Sequence, residues 1–170
     1  MGLFTSRVEG VVRVLPHMIF NSWEAIVPEA QGKAEKVWEE VEGRIKEKEI
    51  PNVVFGRAAV DGWDADVKSS GKGSRPCFYF TNQDLMIGGP YITVVGARDY
   101  SKYLLVSRWL IAPNLKKHLE TSNIFQTEEI SAYISIAHSI VEGAVEQITT
   151  DLQQDFSKIN TRAKGMLNIT

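Results

Sequence analysis

Phe4, Val8, Val11, Val12 and Leu15 recur at helical spacing, which predicts a short helix over Leu3 to Leu15, stopped by Pro16. Met18, Ile19, Phe20, Trp23, Ile26 and Val27 follow as a dense apolar run closed by Pro28, read as a second short helical or irregular segment packed on the core. Between Gly32 and Glu49 the pattern is cleaner. Ala34, Val37, Trp38, Val41 and Ile45 form one stripe among charged residues, so this is a surface helix. Glu40 precedes Arg44 and Glu42 precedes Lys46 by four positions, the favourable order for pairing along a solvated face.

After Ile50-Pro51-Asn52 the pattern changes to that of strands. Val53 to Val60 is one, and Cys77 to Thr81 and Tyr91 to Ala97 are rich in aromatic and β-branched residues, with Gly88-Gly89-Pro90 between them and Leu85 to Ile87 a possible extension. Lys102 to Ala112 is apolar on both faces of its alternation, as expected of a central strand covered on both sides. Connections this short do not allow right-handed crossovers, so neighbouring strands pair antiparallel and doubly wound nucleotide-binding folds are excluded.

The last element is a long amphipathic helix from Thr127, an N-cap residue type, to Asn160. Its stripe runs Ile130, Ile134, Ala137, Val141, Ala144, Ile148, Leu152, Phe156 and Ile159. That is about 3.6 residues per step, the period of a helix lying on a domain and not of a supercoil. At 1.5 Å per residue it extends about 51 Å, more than the roughly 40 Å expected across a compact chain of this length. The apolar density thins after Ile148, so the expected picture is a buried half and a protruding half, with Gly143 the weak point for a bend. Leu152, Phe156 and Ile159 then need a partner, either the N-terminal segment or a second copy of the chain.

The expected architecture is α+β in a single domain over 1–170. Its parts are a helical N-terminal part (1–49), an antiparallel meander of about four strands (53–112) and one long C-terminal helix (127–160) packed on the sheet. Composition supports a packed core, with 44% hydrophobic and 24% charged residues, and excludes disordered or disulfide-stapled classes. The net charge of −2 gives no global attraction to nucleic acid, and the strands carrying aromatics lack the basic neighbours of a nucleic-acid platform. One cysteine, Cys77, and no apolar run of spanning length point to a cytoplasmic protein without a transmembrane segment. Met1-Gly2 with Ser6 satisfies the loose myristoylation pattern, without the polybasic stretch that a stable anchor requires.

Several residue clusters have the composition of sites. Asp61, Asp64 and Asp66 concentrate carboxylates that could hold a hard cation, although their spacing departs from a helix-loop-helix calcium loop and a solvated turn is the plainer explanation. Lys68 to Arg75 is glycine-rich and basic like a phosphate cradle, but Asp66 stands where the first glycine of a P-loop belongs and Gly73 where its Ser or Thr belongs. Arg108 lies within the most apolar strand, where a cation needs a carboxylate, a ligand or an escape to water. With Tyr79 and Tyr103 nearby it is a candidate anion pocket, against the plainer reading of a paired or snorkelling arginine. His17, His118 and His138 are far apart in sequence, so no two of them stand at metal-ligand spacing on a helix, and Cys77 becomes a nucleophile only if folding brings a histidine to it.

No catalytic constellation emerges and no cofactor is implied. The leading expectation is a non-enzymatic binding or assembly module, a homo-oligomer or partner-binding protein acting through the long helix at Leu152, Phe156 and Ile159. The alternative is a ligand-binding protein or metal-assisted enzyme using the Asp61, Asp64 and Asp66 loop or Arg108.

Overall fold

The alternation in Tyr103–Ile111 forms strand β6, and the sheet is organised around it. The computed structural model describes residues 11–13, 18–50, 52–61, 74–82, 91–112, 120 and 123–165, with backbone alone at 11–13, 61, 74 and 165. In chain order the elements are β1 (Val11–Arg13), β2 (Ile19–Pro28), α1 (Ala34–Glu47), β3 (Val53–Asp61), β4 (Ser74–Asn82) and β5 (Ile92–Tyr100). They continue with β6, α2 (Ile124–Asp151), a 3-10 turn (Phe156–Lys158) and β7 (Asn160–Gly165).

Among the described residues the strands join in the order β1-β3-β4-β5-β6-β2-β7. The expected meander is present as β3 to β6, but the sheet is larger. Six strands run antiparallel, and the three-residue β1 adds in parallel to β3. Of the two extra antiparallel strands, one comes from the segment expected to be short helix or irregular, and the other begins where the long helix was expected to end, at Asn160.

The first of them is β2. Trp23, Ala25 and Val27 face the core in alternation with Ser22, Glu24 and Ile26, a period of two that the neighbouring apolar residues obscure. A register shift between Ile19 and Asn21 puts Phe20 into a core cluster and breaks the alternation at its start. Pairing with β6 along nearly its whole length outweighs local propensity here. The helical N-terminal part therefore reduces, among described residues, to α1. Residues 3–10 and 14–15 of the expected first helix lie outside the described residues, and Val11–Arg13 are strand.

The second is β7. The long helix begins at Ile124, not Thr127, because Asn123 makes a reciprocal capping box: its Oδ1 accepts from Gln126 N at 3.0 Å, and Gln126 Oε1 accepts from Asn123 N at 2.9 Å. Thr127 instead donates its hydroxyl to the Asn123 carbonyl. The helix ends at Asp151, about 42 Å from its start. Gln153 turns left-handed at φ 57°, and the N–H groups of Gln153 and Gln154 close on Thr150 O and Thr149 O. Gln154 Nε2 ties the turn to Pro28 O at 2.7 Å, and Asp155 Oδ1 caps the 3-10 turn by accepting from Ser157 N. The chain then runs back along β2.

Leu152, Phe156 and Ile159 do meet an apolar partner, the core of their own chain. The helical period continued through them while the backbone had already left the helix. Both helices cover one face of the sheet. Val37, Val41, Ala137, Ile140, Val141, Ala144 and Ile148 pack there on Val27, Phe78, Phe80, Val95, Leu104 and Val106. Trp38 Nε1 donates to Val95 O at 3.0 Å, and Gly32, at φ 78°, donates its N–H to the Asp99 carboxylate ahead of α1.

On the outer side of α1 the expected Glu42–Lys46 pair forms at 2.7 Å, whereas Glu40 pairs with Lys36. Arg44 lies across α2 at Gly143, where an added Cβ would sit 2.7 Å from Nη1. Gly143 is thus a point of close approach between helices. The opposite face of the sheet carries a separate cluster of Val60, Cys77, Tyr79, Ile92, Val94 and Ile111. Among the described residues no helix is long and apolar enough to cross a membrane.

Candidate functional site

Strand alternation places Leu104, Val106, Arg108 and Leu110 on the helix-covered face, so the guanidinium of Arg108 is carried between two apolar clusters under α2. Arg108 is only 2% exposed. Its Nη2 donates to Asn21 Oδ1, which the β2 register shift brings alongside. Nε and Nη1 are buried and bond to no atom of the described residues, and none of the ion pairs among those residues includes Arg108. Burial lowers its pKa to about 10, opposed by Tyr133, so the group is still a cation at neutral pH.

Three further polar side chains share this layer. Tyr133 of α2 exchanges a hydrogen bond with Thr93 Oγ1 at 3.1 Å and lies 3.4 Å from Phe80 O. Burial pushes its phenol up to about 12, against the opposing effects of Thr93 and Arg108, so it is neutral. His138 sits edge-on to Trp23, with ring centroids 5.5 Å apart, and Trp23 is the β2 residue opposite Arg108. His138 Nε2 contacts Glu142 Oε2 at 2.6 Å, while its buried Nδ1 has no hydrogen-bond partner among the described residues.

Desolvation, followed by the Arg108 charge, lowers the His138 pKa more than Glu142 raises it. The folded protein therefore holds His138 neutral, with Nε2–H donating to Glu142. A base whose folded pKa is depressed contributes stability above its unfolded value of 6.5 and loses it as pH falls toward the folded pKa. Thermal unfolding midpoints should thus drop on going from pH 7.5 to about 5.5, and His138→Gln should flatten that part of the profile. An unchanged slope in the variant would remove His138 from the account.

The two tyrosines expected beside Arg108 are elsewhere. Tyr79 belongs to the opposite-face cluster, and Tyr103 has the same odd parity on β6, so neither shares the arginine's face. The tyrosine that does is Tyr133. It sits one helical turn from Ile130 and reads as one more member of an apolar stripe. Asn21 and Thr93, polar residues inside apolar strands, were the remaining sequence signals.

Asp61 ends β3 and is described by its backbone alone, and Asp64 and Asp66 lie outside the described residues, as do His17, His118 and residues 68–73 of the basic loop. Among the described residues no cluster of three or more His, Cys, Asp or Glu side chains is placed to hold a metal ion. Cys77 is buried on the opposite face, and desolvation, partly offset by the Ala58 backbone and Arg57, pushes its thiol up to about 12, far from nucleophilic at neutral pH.

Comparison with protein families, with curated proteins and with solved structures returned no match. The layer under α2 offers one permanent cation, one amide, one hydroxyl, and a phenol and an imidazole that are both neutral.

Proposed function

We propose that this protein binds a small anion, a carboxylate or phosphate group, through Arg108 in the layer between β6 and α2. The observation that carries this reading is a buried guanidinium with a neutral hydrogen-bond partner and two nitrogens bonded to nothing in the described residues. An unpaired buried cation costs several kcal/mol, and a planar N–H fork matches carboxylate and phosphate oxygens. The neutral state of Tyr133 and His138 leaves Arg108 as the charge that selects the ligand's sign.

The assembly reading through Leu152, Phe156 and Ile159 loses its motivation, because these side chains pack on their own core. The metal-assisted reading rests on the sequence alone, because the side chains of Asp61, Asp64 and Asp66 lie outside the described residues.

The test is thermal unfolding of the wild type and Arg108→Met in phosphate, acetate and citrate against chloride at matched ionic strength. A bound anion at about 100 times its Kd adds roughly 2.7 kcal/mol to the wild type. That amounts to roughly 5 to 11 °C in a chain of this size. Excluded-salt effects raise both proteins alike. The reading predicts a rise in the wild type that Arg108→Met abolishes. Equal rises in both, or none in the wild type, would overturn it.

A further inference from the structure

The sheet face away from the helices has a composition that no single segment reveals. Registers across β5, β6, β2 and β7 align it in rows. Tyr100 stands beside Tyr103, and Arg98 beside Leu105, Ile26 and Asn160. Gly96 is followed by Ser107, Glu24 and Arg162, and Val94 by Trp109, Ser22 and Lys164. Residues directly opposite one another share a face, so this surface carries Tyr100, Tyr103 and Trp109 together with Arg98, Arg162 and Lys164. Arg75 of β4 has the parity of Cys77 and Tyr79 and adds a further exposed cation on that face.

Cys77, Tyr79, Ile92, Val94 and Ile111 on this face are buried, whereas its end toward the β5–β6 turn is exposed and presents the rings. Tyr100 is 66% exposed, Ile26 is 40% exposed, and Tyr103 and Trp109 are half-buried. Trp109 has room because its neighbour is Gly96, where an added Cβ would lie 3.4 Å from the indole ring. Two cations already sit over these rings: Arg98 is 5.8 Å from the Tyr100 centroid, and Lys102 is 5.7 Å from that of Tyr103. Tyr103 and Trp109 are separated by six positions of one strand, about 20 Å.

Charge is divided between the two sides of the molecule. Helix α2 contains Glu128, Glu129, Glu142, Glu146 and Asp151 and neither Lys nor Arg. On the open face Glu24 is the acid within the aligned rows, opposite Arg162, while Glu29 at the hairpin end pairs with Lys102. A net charge of −2 therefore conceals a locally basic surface. The β5–β6 hairpin lacks enough cations by itself. The return of the chain as β7 supplies Arg162 and Lys164.

We propose that this face binds single-stranded nucleic acid, with bases stacking on Tyr100, Tyr103 and Trp109 and phosphates meeting Arg75, Arg98, Arg162 and Lys164. Planar rings accept any base, and flanking cations track a flexible backbone. An acidic peptide would use the cations and leave the rings without a matching partner. This site lies on the opposite side of the sheet from Arg108 and stands independently of the anion reading.

The experiment is fluorescence anisotropy of end-labelled oligo-dT and oligo-U of about 12 nucleotides, titrated with the full chain at low salt and then along a salt series. The wild type is expected to bind, and the exposed pair Arg162→Glu with Lys164→Glu to weaken binding about ten-fold or more. Each lost phosphate contact should shallow the salt slope by about 0.7, so the pair should remove about 1.4. Tyr100→Ala is expected to weaken binding several-fold at fixed salt with an unchanged melting temperature. Should the double variant unfold, Tyr100→Ala and Arg98→Gln carry the test. No binding by the wild type up to about 100 μM overturns the proposal. So does equal binding of heparin or poly-glutamate together with indifference to Tyr100→Ala, which would mark a merely electrostatic surface. Arg108→Met should leave this binding intact, which separates failure here from failure of the anion site.

Discussion

Ile140→Ala is expected to lower the unfolding free energy by about 2 to 5 kcal/mol, the range for emptying a fully packed aliphatic site. Ile140 is completely buried where α2 meets α1 and the sheet, among Val37, Val41, Val106 and Ala144. The neighbouring atoms come from three elements, so the space left behind closes only partly. At about 2 to 4 °C per kcal/mol for a chain of this size, the melting temperature falls by roughly 4 to 20 °C. Ile136, one turn earlier on the outer side and 41% exposed, is the control: Ile136→Ala should stay within about 0.5 kcal/mol. Comparable losses at the two sites, measured by urea unfolding, would mean that the helix does not present its faces as described.

Ending the chain after Gln153 has the second large effect, expected at about 3 to 5 kcal/mol, with aggregation. It removes the half-buried Phe156 and Ile159 and strips β7 from β2, leaving the N–H and C=O groups of that edge unpaired next to the exposed Ile26. A protruding helical arm would behave differently, because its deletion would leave the melting temperature unchanged and lower only the oligomeric state. Urea unfolding and light scattering on the truncated chain distinguish the two outcomes. Unchanged stability would refute the packing of 154–165 on its own chain.

These two experiments probe the places where local reading succeeded and failed. The stripe from Ile130 to Ile148 was legible because about five turns of consistent periodicity leave few alternatives, and those residues are the buried ones. The same rule overran its validity at Leu152, Phe156 and Ile159. Their spacing continues the helix period, yet Gln153 in a left-handed turn and Asp155 capping the next turn end the helix. Such stop signals are polar residues of common types, and they become decisive only when Pro28 is present to receive Gln154. For β2 the difficulty was the reverse, because a strand with a bulge and apolar residues on both faces has no clean period of its own.

The candidate sites divide in the same way. Arg108 was identifiable from sequence as a cation in an apolar strand, since burying such a charge is costly wherever it happens. Its true neighbours were not identifiable: Asn21, Tyr133 and His138 come from β2 and α2, and Tyr79 and Tyr103 fall on the wrong parity. The strands carrying the aromatics supply little basic charge themselves, and Arg162 and Lys164 join them only through the pairing of β7 with β2.

What the sequence determined by itself was periodicity and chemical type: α1, most of α2, the β3 to β6 meander and the anomaly at Arg108. Each of these is encoded within a short window, where side-chain alternation or helical spacing is a local property of the chain. Tertiary structure alone decided that two further segments become strands, β2 beside β6 and β7 beside β2, and which polar groups meet across the sheet. Backbone pairing between distant segments depends on which edge lies open to receive them, and no local window carries that information.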